Sequence, residues 1–138
     1  MVKKDFEAES GVMPKKFLGR HLIAEFWDSK MIEDPKKLEK VLVTAAVKAN
    51  NTPLKAITYK FHPKGITGVV LLSESHIALH SWPEFEYMAI DIYTCGKKTN
   101  PLNALEYLKK IFNPKRIEIQ EIKRGKIDVS GYLGEPLS

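Results

Sequence analysis

Three β-like runs stand almost back to back between residues 66 and 95: "ITGVVLLS" (66–73), "HIALHSW" (76–82) and "YMAIDIYTC" (87–95). The second and third alternate apolar and polar residues, the mark of a strand with one buried face. The connections are too short for a crossover helix, so neighbouring strands must run antiparallel. Two further runs, "LKAITYKF" (54–61) and "RIEIQEIK" (116–123), fit the same pattern, and "GRHLIAEFWD" (19–28) reads as an opening strand.

Two helices interrupt this series. In "DPKKLEKVLVTAAVKANN", Asp34 can cap the first turn, Pro35 suits its first position, and Leu38, Val41, Leu42 and Ala45 recur along one face. Asn100 and Pro101 open a second helix, with Leu102, Leu105, Leu108, Ile111 and Phe112 along one side. The order is β α β β β β α β. It predicts an α+β fold: a two-layer α/β sandwich, with an antiparallel sheet and two helices packed on one face. The other sheet face must then be wet or covered by a partner. With 138 residues, 43% of them hydrophobic, and no repeat or linker, one domain spanning 1–138 is expected. Residues 1–17 are mixed in charge, aperiodic and expected to form a loose arm. The tail from Gly125 shows no pattern.

Several function classes fall away. No apolar run approaches the ~20 residues of a membrane span, and the N-terminus lacks the apolar core of a secretory signal. One cysteine, Cys95, allows no internal disulfide, so a reducing cytoplasm is expected. The net charge of +5 raises a nucleic-acid reading. Yet the lysines are scattered in pairs such as Lys36-Lys37 and Lys109-Lys110, and no RNA-binding aromatic signature or zinc-finger spacing is present. No nucleic-acid or membrane partner is expected.

The polar residues inside the strand region remain to be explained. His76 and His80 share a strand face but have no evident third partner, so no metal is expected. A Ser-His hydrolase would need a G-x-S-x-G elbow between strand and helix, which is missing. Cys95 alone reads as a small buried apolar residue, Trp82 as core, and Ser73 and Ser75 as turn formers.

As a set these residues are more specific. "GITGVVLLSESHIALHSWPEFEYMAIDIYTCG", with "LGRHLIAEFWD" before it and "NPLNALEYLKKIF" after, closely resembles the prokaryotic S-adenosylmethionine decarboxylases. The resemblance covers about residues 17–124. It implies a self-cleaving proenzyme whose cofactor is a pyruvoyl group generated from Ser75, with neither pyridoxal phosphate nor metal. The Ser75 hydroxyl would attack the Glu74 carbonyl, and elimination would cut the chain into 1–74 and 75–138. The polar turn would then be the price of the chemistry.

The same resemblance assigns the other roles. His80 is the proton acceptor in processing, assisted by Thr67 at a position where the family typically has serine. Cys95 reprotonates the substrate carbon after CO2 leaves. Phe61 stacks on adenine, Glu84 holds the ribose hydroxyls, and Trp82 lines the pocket. The implied activity converts S-adenosylmethionine to S-adenosylmethioninamine and CO2, which feeds spermidine and other polyamine synthesis. The implied assembly is a homodimer with shared sites, Ser75 and Cys95 of one protomer facing Phe61, Thr67, His80 and Glu84 of the other. Strand geometry agrees: Ser75 and His80 are five residues apart, about 16 Å along a strand and on opposite faces. Two alternatives stay open. One is a pyruvoyl-dependent arginine decarboxylase on this scaffold, against which Glu84 argues, since arginine has no ribose diol. The other is a non-catalytic binding paralogue, against which the Glu74, Ser75, His80 and Cys95 set argues.

Overall fold

A computed structural model describes residues 15–128. Its elements are β1 (Lys15–Trp27), α1 (Pro35–Lys48), β2 (Pro53–Lys60), β3 (Ile66–Leu72), β4 (His76–Trp82), β5 (Tyr87–Cys95), α2 (Pro101–Phe112) and β6 (Arg116–Asp128). The strands form one antiparallel sheet in the order β2-β3-β4-β5-β1-β6. This is the expected α+β sandwich.

Both helices start where their sequence says. The Asp34 carboxylate accepts the Lys36 amide at 3.1 Å, and the Asn100 side chain accepts the Leu102 amide at 3.1 Å. Each offsets amides that a helix start leaves unpaired. The helices lie side by side on one sheet face. Leu38, Leu42, Leu105, Leu108 and Phe112 meet Leu22, Phe26, Ile77, Leu79, Ile90 and Ile92 there, all at most 1% exposed. Strand alternation then sends every second residue to the opposite, open face. That face carries Thr67, His76, His80, Asp91, Tyr93 and Cys95, together with exposed Ile57, Tyr59, Leu71 and Trp82.

The structure corrects two expectations. β1 begins at Lys15 rather than Gly19, so residues 15–17 of the expected arm belong to the sheet. β6 runs to Asp128 rather than stopping at Lys123, and Lys15 pairs with Asp128. Neither extension alternates in sequence, because each strand end is held by its partner 100 or more residues away rather than by a buried face. Residues 1–14 and 129–138 lie outside the described residues.

At Gly68 the first helix packs directly onto the sheet backbone. A Cβ there would fall 2.7 Å from Leu42 Cδ1 and 2.9 Å from Leu38 Cδ2. Gly68→Val is therefore expected to cost about 1–3 kcal/mol by overpacking, read as a lower denaturant midpoint.

Candidate active site

The β3–β4 turn is closed by the Leu72 amide donating to the Ser75 carbonyl at 2.9 Å. Ser75 is buried, 8% exposed. Its Oγ accepts the Cys95 amide at 3.1 Å, and the Cys95 thiol donates to the Glu74 carbonyl oxygen at 3.3 Å. One residue at the end of β5 thus holds both atoms that an attack of Ser75 on Glu74 would use. The Ser75 side chain here serves hydrogen bonding, and none of residues 73–75 has a positive φ. A cavity of about 300 Å3 opens beside it, lined by Asn51, Thr52, Ser73, Glu74, Ser75, Cys95 and Thr99 among others. Thr99 Oγ1 donates to the Cys95 and Gly96 carbonyls at 3.0 and 3.1 Å, which fixes the loop that follows β5.

A second cluster occupies the far end of the same strands. Thr67 and His80 are register partners on β3 and β4, and Thr67 Oγ1 lies 3.0 Å from His80 Nδ1. Behind them the buried Ser81 hydroxyl accepts the Ile66 amide and donates to the Ile66 carbonyl, at 3.1 and 3.3 Å. Phe61 follows β2 and is exposed, its ring 4.9 Å from Tyr59. Trp82 is no core residue. It is 42% exposed, because its even position on β4 points it to the open face, where it lies 5.4 Å from Tyr87 and 6.5 Å from His80. Glu84 is exposed in the short turn Pro83–Phe85 that follows. The structure therefore brings Glu74, Ser75 and Cys95 together at one end, and gathers Phe61, Thr67, His80, Trp82 and Glu84 toward the other. Within one chain the two groups do not meet.

The family model described as S-adenosylmethionine decarboxylase matches residues 20–125. This chain belongs to that family. A protein of Pelotomaculum thermopropionicum named S-adenosylmethionine decarboxylase proenzyme is 44% identical over 122 residues, 87% of this chain and 96% of that one. One of the same name from Methanococcus maripaludis is 41% identical, over 83% of this chain and 95% of its own. The crystal structure of the adenosylmethionine decarboxylase from Aquifex aeolicus VF5 superposes with a TM-score of 0.75 at 36% identity, covering 82% of this chain and 95% of that one.

In this S-adenosylmethionine decarboxylase family member a third group, of which sequence alone points only to His76, lies on the open face beside Cys95. His21 Nε2 is 3.1 Å from Asp91 Oδ1. His21, His76 and Tyr93 pack ring against ring, with centroids 5.6 to 6.3 Å apart. The signal was the period of two: His76, Asp91 and Tyr93 share the face of Cys95. Among the described residues no three metal-ligating side chains cluster. Burial first, then the charge of His21, holds His76 below the usual imidazole range, while Asp91 pulls the other way.

A histidine whose folded pKa is lowered binds fewer protons folded than unfolded. Stability then rises with pH up to the unfolded value of about 6.5 and is lost as pH falls below it. Denaturant midpoints measured through this window are expected to fall with acidification, and His76→Gln is expected to flatten that fall.

Proposed function

We propose that this chain is the proenzyme of an S-adenosylmethionine decarboxylase that cuts itself between Glu74 and Ser75. The observation that carries the reading is the double hold of Cys95 on the Ser75 hydroxyl and the Glu74 carbonyl. Ser75 Oγ bonds to the Glu74 carbonyl carbon as the Glu74–Ser75 C–N bond breaks, leaving an ester. Elimination frees the Glu74 carboxylate, and hydrolysis of the resulting dehydroalanine at position 75 releases ammonia and leaves the pyruvoyl group. The fit is good on this chain's own atoms: the serine is buried, its hydroxyl is held, and a cavity opens beside it. The pyruvoyl ketone supplies the electron sink for decarboxylation.

The remaining roles belong to side chains. Cys95 returns a proton to the substrate carbon. His80, held by Thr67, accepts a proton during processing, where imidazole suits neutral pH. Phe61 stacks on adenine, Trp82 lines the pocket and favours the sulfonium charge, and Glu84 accepts both ribose hydroxyls. The product, S-adenosylmethioninamine, is an aminopropyl donor for polyamine synthesis.

Each site is built from two protomers. Ser75 lies five residues from His80, about 16 Å at ~3.3 Å per residue. A two-fold partner laid on the open face sets the Ser75 end of one sheet against the His80 end of the other. The exposed Ile57, Tyr59, Leu71 and Trp82 on that face would be covered in such a dimer.

Mass spectrometry of the purified protein is expected to find chains 1–74 and 75–138, the second with a pyruvoyl terminus. Ser75→Ala should leave one uncut, inactive chain. Carboxyl-labelled S-adenosylmethionine is expected to release CO2 while labelled arginine does not, and the reverse would sink the substrate assignment.

Shared sites are tested by complementation. Cys95→Ala and Glu84→Ala chains, each nearly inactive alone, should recover part of their activity when co-expressed. Cys95→Ala alone should still self-cleave but turn over about 10²–10⁴-fold more slowly, as when a general acid is lost. No recovery in a demonstrated heterodimer would mean that each site comes from one chain.

A further inference from the structure

Tyr93 and Cys95 stand two residues apart on β5, so both side chains rise from the open face. Cys95 pairs across the sheet with Gly19 of β1. The space that a side chain at Gly19 would fill belongs to Tyr93: a Cβ there would lie 2.8 Å from the Tyr93 hydroxyl and 2.8 Å from Cε1. The Tyr93 ring therefore leans along its strand toward Cys95 instead of standing over its own partner, His21. That places its hydroxyl over Gly19, directly across the sheet from Cys95. The ring is held on its other sides by His21 at 5.6 Å, His76 at 5.8 Å and the Arg124 guanidinium at 5.6 Å.

We propose that Tyr93 is a positioning residue for Cys95: its hydroxyl donates to the Cys95 sulfur, turns the S–H toward residues 74 and 75, and steadies the thiolate left when that proton is given up. The inference rests on the proton-donor role proposed for Cys95. A thiol is a weak donor and a weak acceptor, so its direction is poorly fixed unless a stronger group fixes it. The single S–H already points to the Glu74 carbonyl, which leaves the sulfur lone pairs to accept from Tyr93. Tyr93 keeps its own proton throughout. Burial, the bond to Cys95 and the nearby Glu74 all raise its pKa above the usual phenol value, and only Arg124 opposes them. No proton leaves the tyrosine, so it orients the donor without becoming one. Gly19 belongs to the same device, because any side chain there would push the ring off Cys95.

The first readout needs no turnover. Cys95 is the only cysteine, so iodoacetamide reports on it alone. In the uncut Ser75→Ala protein, adding Tyr93→Phe is expected to slow alkylation about 10-fold at a fixed, mildly alkaline pH, because the thiolate loses its donor. In the cleaved enzyme Tyr93→Phe should lower kcat about 10–100-fold and leave KM unchanged. It should also raise the fraction of small chains ending in alanine rather than pyruvoyl, the mark of protonation at the wrong carbon. Gly19→Ala keeps the hydroxyl but should reproduce both effects, and combining it with Tyr93→Phe should cost little more than either alone. Equal alkylation with and without Tyr93→Phe would overturn the proposal, whatever Cys95→Ala does. Slowed alkylation with unchanged kcat would overturn it too, since the contact would then be structural only. Normal turnover in Cys95→Ala would instead defeat the proton-donor role, and the alkylation contrast would still report on the Tyr93 contact by itself.

Discussion

β1 is gripped along both edges by strands from the other half of the chain. It pairs with β5 from Gly19 to Phe26 and with β6 from Lys15 to Trp27. The proposed cut would separate β1, α1, β2 and β3 from β4, β5, α2 and β6. In the sheet the two sets interleave, so the β3–β4, β5–β1 and β1–β6 junctions each join one piece to the other. α1 also packs against α2 across the same division. Breaking one peptide bond in a surface turn therefore exposes almost none of the apolar surface that Phe26, Leu22, Ile90 and Ile92 bury between the pieces. Had the sheet followed chain order, the cut would fall between two blocks joined along a single seam.

The two sheet faces divide the labour between stability and chemistry. On β5, Ile90, Ile92 and Thr94 point to the helices while Asp91, Tyr93 and Cys95 point away. A slip of one residue would exchange the two sets, burying the thiol and exposing isoleucine. The core residues of β5 thus fix the direction of Cys95 from a distance. The strand then stops at once: Gly96 takes φ +93°, a backbone that side chains rarely adopt, and the chain turns away toward α2. That abrupt end leaves room beside Cys95 for the β3–β4 turn to dock its serine.

What the sequence makes legible follows from how local each signal is. β4 and β5 run over the residues that alternate, and α1 and α2 begin where Asp34 and Asn100 cap them, since those patterns need only neighbouring residues. The ends of β1 and β6 needed each other. Lys15 finds Asp128 across the whole chain, and Gly125, at φ +70°, passes so close to Leu18 that a Cβ would lie 2.9 Å from the Leu18 Cβ. The candidate site divides in the same way. Ser75, His80 and Cys95 stand out only as a set, through the family resemblance. The bond from Cys95 to Glu74, the Thr67–His80 pair and the lean of Tyr93 over Gly19 are contacts between strands. A linear reading names such residues without saying which of them touch.

With shared sites, the separation of the two clusters would also impose an order of events. Within one chain the serine and its carbonyl are already in hand, held by Cys95, whereas the histidine that would take the proton is about 16 Å away along β4. A newly folded monomer would then hold the proposed nucleophile without the proposed base. Pairing of two open faces would supply that base and, in the same step, cover the exposed aromatic and aliphatic side chains of the face. In the proposed dimer, hydrophobic association and the start of self-cleavage would be one event, and the chain would mature only after it had folded and found a partner. Phe61 and Glu84, the proposed substrate-binding residues, would arrive on that partner together with His80, so the same docking that permitted the cut would also complete the pocket.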